Sequence, residues 1–504
     1  MPASPRKMTM TEKIIAAHAG RADVAPGENV WVDVDVQMTH DVCGPGTIGI
    51  FKKEFGENAK VWDPTRIPII PDHYIFTADE KCHRNIQTLR DFVKQQGIRY
   101  YYDPDFISME PGMPNPYQDP ENTTYKGVCH KALPEEGHCR PGEILLGTDS
   151  HTCTAGAFGE LATGVGNTDA AFVFGTGKSW LRVPPTMKFA FHGEIPPYLT
   201  AKDLILAVIG DIGFDGATYQ AMYFTGSGVA SLSLEDRMTL TNMAIEAGGK
   251  NGICDVDEKT LAYVRARSNR PEWTVYAEDD GAEYAYENAW DLGVLEPLVA
   301  APHSPDNTRL ARECADVTLD RAYVGSCTGG KITDMIFAAA ILAGESVRIP
   351  TFVVPGSTEV HADMRKLNVY GLPLGQTPES HAHAAAARSA SSNTEAACDG
   401  AYFGKSFDPD KSIEQTLLDA GCNMGASSCA ACLGGPQDTF GRLNEAITCI
   451  STTNRNFPGR MGHKQAGVYL ASPLTAAASA LTGHVTDPRE YVTAPIYTGT
   501  AGVV

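Results

Sequence analysis

Two short stretches of small residues constrain this chain more than anything else in it, because each is built around cysteine: VGSCTGGK, residues 324–331, and GASSCAACLGG, residues 425–435. Cys327 follows an apolar run that reads as a strand and sits on a Gly/Ser turn opening a helix. Such a turn exposes backbone N–H groups and a helix's positive end, which favour a thiolate. Cys429 and Cys432 are separated by two alanines on a second small-residue turn. A lone cysteine in such a place is usually inert, but three thiolates from two turns make an incomplete tetrahedral set, so the fold must bring the turns together. Spacing leaves three readings open. One is zinc, closed by Cys422 or Cys449; another is a redox pair, although C-x-x-C of that kind normally opens a helix. The third is a 4Fe-4S cluster in which one iron has no protein ligand.

The rest of the chain alternates strand and helix. ENVWVDVDVQMTHDV alternates Val with Asp like a strand, NIQTLRDFVKQQG is an amphipathic helix closed by Gly97, and DRAYVGSCTGGKITDMIFAAAILAG runs from strand through turn to helix. AKDLILAVIGDIG and LEDRMTLTNMAIEAGG continue the alternation, giving an α/β class. At 504 residues two or three domains are expected. The Pro-rich, polar PLVAAPHSPDNTRLARECADV reads as a connection, with a boundary near residue 316. Residues 380–400, small and polar with His381 and His383 among alanines, read as a surface insertion without function. No apolar run reaches the roughly 20 residues of a membrane span. A net charge of -20 argues against a nucleic-acid surface, and an anionic ligand would need positive groups gathered locally. Thirteen cysteines without a regular framework suit a reducing compartment. The opening MPASPRKMTMTEKI lacks a signal peptide's apolar core and is short for a transit peptide, though compatible with the remnant of one.

Four motifs place histidine after strand-like segments: His40 in QMTHDV, Asp72 and His73 in PDHYIF, His130 in GVCH, and Asp149, Ser150 and His151 in LLGTDSHT. Singly each is an ordinary polar pair; together they point to a pocket for a charged ligand and for acid–base work. Asn454, Arg455 and Arg460 lie in STTNRNFPGRMGHK, where the arginines bracket a Pro-Gly turn and can grip a carboxylate bidentately. GTGKS, residues 175–179, is not a phosphate loop, since the first required glycine falls at Phe172.

Taken in this order, GTDSHT, GSCT, C-x-x-C-L-G and NRNFPGR resemble the aconitase superfamily over nearly the whole chain. Within it the likeness is to the branch whose catalytic chain lacks the swivelling fourth domain, with wording similar to plant and green-algal plastid members. The resemblance implies three α/β domains around a cluster pocket, at 1–198, 199–316 and 317–504. It implies one 4Fe-4S cluster on Cys327, Cys429 and Cys432, whose free iron binds the substrate's hydroxyl and a carboxylate. His73, oriented by Asp72, then protonates the departing hydroxyl, with His130, Asp149 and His151 supporting proton traffic. Ser150, Asn454, Arg455 and Arg460 bind substrate or border the cluster, and His40 stands where the family has a substrate-binding Gln.

The implied activity is that of a hydro-lyase, interconverting 2-isopropylmalate and 3-isopropylmalate by dehydration and rehydration in leucine biosynthesis. The implied partner is a small subunit bearing the swivelling domain, with the family's general-base serine and one substrate arginine; the chain ends at Val504 without such a domain. A plastid stroma is implied, or the cytoplasm for a prokaryotic source. One departure stands out: Tyr223, in GATYQAMYFTG, occupies the place expected for a glutamate beside the cluster. Rival readings are a related dehydratase acting on homocitrate or a methylmalate, and a cluster-bearing regulatory protein without catalysis.

Overall fold

The computed structural model describes residues 6–104, 124–268, 270–378, 380 and 405–492. Three sheets organise it. Val36–Met38, Ile144–Gly147 and Leu161–Gly164 form a parallel three-stranded sheet, and their nearly unbroken burial is what a parallel sheet covered on both faces requires. A second, four-stranded parallel sheet has the order Asn251–Cys254, Ala221–Thr225, Thr186–His192, Tyr286–Asp291. In the third, five parallel strands, Gly467–Ala471, Thr448–Ser451, Arg321–Val324, Thr351–Val353 and Asn423–Met424, carry an antiparallel hairpin on one edge. That hairpin, Leu298–Ala300 with Thr308–Leu310, is the segment read from sequence as a connection. Its prolines and polar residues suit an edge, where one side of each strand faces away from the ladder.

The run read as one strand at ENVWVDVDVQM is two. Asn29–Asp33 pairs antiparallel with Lys178–Arg182 and exposes alternate residues, whereas Val36–Met38 is wholly buried in the first sheet. The break falls at Asp35, whose carboxylate accepts from the Ile144 amide (2.9 Å), His18 (2.7 Å) and Arg66 (3.2 Å). A local alternation of Val and Asp does not reveal a change of sheet.

Helix signals are followed closely. Asp79 caps Glu80–Gln96 and Gly97 ends it at φ 71°. Thr200 and Asp203 form a reciprocal capping box on Ala201–Ile212. The long apolar helix Ile332–Leu342 is buried along its length in the largest core group. Among the described residues no helix is long and apolar enough to cross a membrane. The region expected as an insertion at 380–400 lies, apart from Ser380, outside the described residues.

Candidate active site

Most of the functional side chains follow the C-terminal ends of parallel strands, the place where open α/β sheets form their crevices, while His130 lies in the first turn of helix Cys129–Glu135 and not after a strand. His40 and Asp41 follow Val36–Met38, and Asp149, Ser150 and His151 follow Ile144–Gly147. Cys327 follows Arg321–Val324, Cys429 follows Asn423–Met424, and Asn454 and Arg455 follow Thr448–Ser451. Asp72 and His73 come after the bridge of Ile69 to Thr39 and Tyr101.

His73 lies at the centre of a buried relay. Its Nδ1 meets Asp72 Oδ1 at 2.6 Å, its Nε2 lies 3.4 Å from Asp149 Oδ2, and the His40 ring stacks on it at 4.3 Å. Asp149 Oδ1 is shared by His130 Nε2 (2.7 Å) and the His151 amide (2.8 Å), while Ser150 Oγ reaches His151 Nδ1 at 3.4 Å. His151 Nε2 meets Glu246 Oε1 at 2.7 Å, and Arg455 Nε donates to Glu246 Oε2 at 2.7 Å. The chain of contacts thus runs from Asp72 through His73, Asp149, His151 and Glu246 to Arg455.

Burial alone would strip His73 of its proton, yet the carboxylates of Asp72 and Asp149 raise its pKa well above 6.5. Conversely, burial would raise Asp149, but the imidazoles of His130, His151 and His73 hold it well below the usual carboxylate range. Asp72 is lowered against its burial by His73, and Glu246 falls to about 2 against its burial through Arg455 and His151. His151 is raised, against burial, by Asp149 and Glu246. His40 moves the other way, lowered by burial and by the neighbouring His73 charge, and its ring stacks on that of His73.

Cys327, Cys429 and Cys432 form one buried group with Val128. Asn242 and Asn454 donate to Cys327 Sγ at 3.1 and 3.3 Å. Burial, then the neighbouring Cys432, pushes the Cys327 thiol to about 12, so it needs a cation to ionise. Cys432 is held low by a hydrogen bond from Cys429, against burial, and by the charges of Arg460 and His151; Cys429 is pushed up in turn. The alternative fourth ligands are elsewhere: Cys422 and Cys449 pack in two other core groups. Among the described residues, the sets of three or more His, Cys, Asp or Glu with ligand atoms within 4.8 Å of one another are His40, Asp41, Asp72, His73 and His130, Asp149, His151. The cysteine trio is not among them. Three cysteines brought together from two turns, with two amide donors aimed at Cys327, fit an iron–sulfur cluster.

Asp72 joins the two halves of the site, since its carbonyl accepts from the Cys429 amide (2.9 Å) and its carboxylate from the Cys129 amide (2.8 Å). Arg460 keeps a buried Nε with no hydrogen-bond partner among the described residues, and its charge is felt by Cys432 and Tyr74. A free guanidinium at the edge of a buried relay can bind an anion.

Tyr223 is not part of this arrangement. It lies in strand Ala221–Thr225, donates to Asp255 Oδ1 at 2.6 Å and packs in a separate core group. The glutamate beside the relay is Glu246, in the short 3-10 segment Met243–Ala247. Sequence reading also missed Asn242 and Asp41, whose carboxylate accepts from the amides of Asp72, His73 and Tyr74 at 2.9, 3.0 and 2.7 Å. The acid–amide pattern of T-N-M-A-I-E was a weak signal for the first two; for Asp41 the only signal was its place beside His40.

The sheets and the strand-end cluster define an α/β enzyme core of acid–base and cysteine residues, and the chain belongs to the aconitase family (aconitate hydratase), whose model matches residues 12–316, 307–371 and 409–483. Membership of that family implies an iron–sulfur cluster. The chain is 54% identical over 488 residues to the 3-isopropylmalate dehydratase large subunit, chloroplastic, of Arabidopsis thaliana, covering 96% of this chain and 87% of the relative. It is 39% identical over 499 residues to the large subunit of 3-isopropylmalate dehydratase from Aquifex aeolicus, covering 98% and 99%. The corresponding large subunit 1 of Methanopyrus kandleri is 40% identical over 486 residues, covering 96% and 99%.

Proposed function

We propose that this chain is the catalytic large subunit of a two-chain hydro-lyase that interconverts 2-isopropylmalate and 3-isopropylmalate through isopropylmaleate, a step of leucine biosynthesis. The observation that carries the reading is the His73 ring, held between the carboxylates of Asp72 and Asp149 and joined through Asp72 to the loop of Cys429. The substrate assignment draws on the relatives' names. One 4Fe-4S cluster per chain would be held by Cys327, Cys429 and Cys432, and when bound it supplies an iron free of protein ligands as a Lewis acid for the substrate's hydroxyl and carboxylate.

Hydroxide is a poor leaving group, so a proton must arrive as the C–O bond breaks. His73 Nε2 delivers it, Asp72 fixing the tautomer from the other ring nitrogen, and takes it back from water in the reverse direction. Asp149 and His151 pass charge between His73 and Glu246. Removal of the carbon-bound proton adds charge beside an already anionic carboxylate, which Arg455 and Arg460 offset, each an always-charged fork. Asn454 and Asn242 orient Cys327, while Ser150 and His40 line the substrate side.

The partner is a small subunit that supplies the base, in keeping with the name "large subunit" carried by the relatives. Plastid stroma is the proposed location, supported by the chloroplastic relative. We also divide the chain into three α/β units, 1–198, 199–316 and 317–504. Sheet membership supports three units and carries some strands across the edges, since Thr186–His192 belongs with the second sheet and the 298–310 hairpin with the third. The regulatory alternative drew its support from Tyr223, which lies away from the relay while Glu246 joins it. Assaying the reconstituted two-chain enzyme on a panel of hydroxy diacids tests the proposal: isopropylmalate should give the highest kcat/KM, and a preference for homocitrate or a methylmalate would overturn the substrate assignment.

A further inference from the structure

Lys202 is a buried amine in a place unfavourable to its charge. It occupies the first turn of helix Ala201–Ile212, where the helix dipole repels a cation, and it is 3% exposed. No carboxylate in the structure forms an ion pair with it among the described residues. Its Nζ instead donates to two backbone carbonyls, Thr452 O at 3.2 Å and Thr453 O at 2.5 Å. These carbonyls stand between strand Thr448–Ser451 and the pair Asn454–Arg455. The flanks of this corner have their own anchors: Thr452 Oγ1 accepts from the Gly325 amide at 2.9 Å, and Asn456 Nδ2 donates to the carbonyls of Ala301 and Val468 at 3.0 Å each. Between them Lys202 is a side chain that donates to both the 452 and 453 carbonyls. The next two side chains enter the site, Asn454 Nδ2 at Cys327 and Arg455 Nε at Glu246.

We propose that Lys202 is a positioning residue that fixes the Asn454–Arg455 corner from the second sheet's leading helix and so sets how Arg455 meets a substrate carboxylate. Tying the corner to that helix makes the arginine's place depend on packing between two sheets rather than on its own loop. The charge lies near that of Lys331 on one side and those of Cys432, Asp334 and Glu246 on the other, and burial lowers its pKa to about 7. The inference rests on the isomerase reading only for its substrate readout.

Lys202→Met removes the donor, and Lys202→Gln keeps an N–H with which to reach one carbonyl. In the large chain alone, hydrogen exchange in a peptide spanning 448–460 should quicken tenfold or more in Lys202→Met and less in Lys202→Gln, with exchange elsewhere and iron per chain unchanged. In the two-chain enzyme, KM should rise at least tenfold in Lys202→Met while kcat falls less, a split that simple loss of folded protein would not produce. Wild-type exchange in 448–460, or quickened exchange and iron loss throughout the chain in both variants, would overturn the proposal. If wild-type enzyme fails to turn over isopropylmalate, the exchange arm still decides on Lys202.

Discussion

At the scale of single residues, the site makes a sharp contrast between two positions. Glu246 bonds His151 and Arg455 and is ionised at every ordinary pH, so Glu246→Gln should cut kcat/KM by about 10²-fold or more, because a neutral amide removes the charge that holds both cations. Tyr223→Phe should leave kcat/KM within about twofold, since its hydroxyl spends itself on Asp255, and steady-state kinetics on the pair of variants decides between the two positions. Arg460→Lys should lower activity by about 10²-fold with iron content unchanged, because an ammonium keeps the charge but not the fork; wild-type turnover would place Arg460 outside the substrate site. Residues in motifs with a strand before them and a turn after, such as Cys327, His73 and Asp149, were legible in the sequence because that local pattern itself announces a strand end. Glu246 was not, because it lies in a 3-10 segment without periodicity, and the strand bearing Tyr223 offered a tidier position for a glutamate that the fold places elsewhere.

At the scale of elements, the cysteine turn shows why small residues were needed. Ser326 adopts φ 79°, and a Cβ at Gly329 would lie 2.1 Å from Thr452 Oγ1, so the turn packs directly on the corner that carries Asn454. Gly329→Ala should therefore displace Cys327 or Thr452 and lower bound iron severalfold in anaerobically purified protein. Cys429→Ser should abolish the cluster, since two thiolates cannot hold a cube, and stoichiometric zinc in the wild type would sink the cluster assignment altogether. Periodicity and caps made helices such as Glu80–Gln96 and Ala201–Ile212 readable, whereas the split at Asp35 and the edge hairpin at 298–310 depend on partners distant in sequence. A strand's local pattern records which faces are buried, not which sheet buries them.

At the scale of the whole molecule, charge and subunit composition govern behaviour together. His73 has a folded pKa above 6.5, so its contribution to stability is full below that value and is lost as pH rises through the folded value; Asp72 and Asp149, lowered from 3.8, contribute above that value and lose it as pH falls through theirs. The gap in unfolding midpoint between the iron-free chain and its His73→Gln variant should therefore be widest in the mildly acid to neutral range and close on the alkaline side. The same accounting bears on the base that catalysis needs. Among the described residues of the site, His73 is committed to Asp72 and Asp149, His151 to Asp149 and Glu246, and Glu246 to Arg455, the three cysteines form one buried group, and His40 Nε2 and His130 Nδ1 stay buried without a hydrogen-bond partner. The two free ring nitrogens are the candidates for a base within this chain, against the proposed reading in which a second chain supplies it. In the proposed reading that second chain has about 200 residues, an ordinary size for one domain. The large chain alone should fold, load its cluster and convert 2-isopropylmalate at about 1% or less of the rate reached when the separately made small subunit is added, since a well-placed base contributes on the order of 10²-fold or more. Conversion measured with each chain alone and then with both decides it: full activity from the large chain by itself would mean that the base lies within this chain.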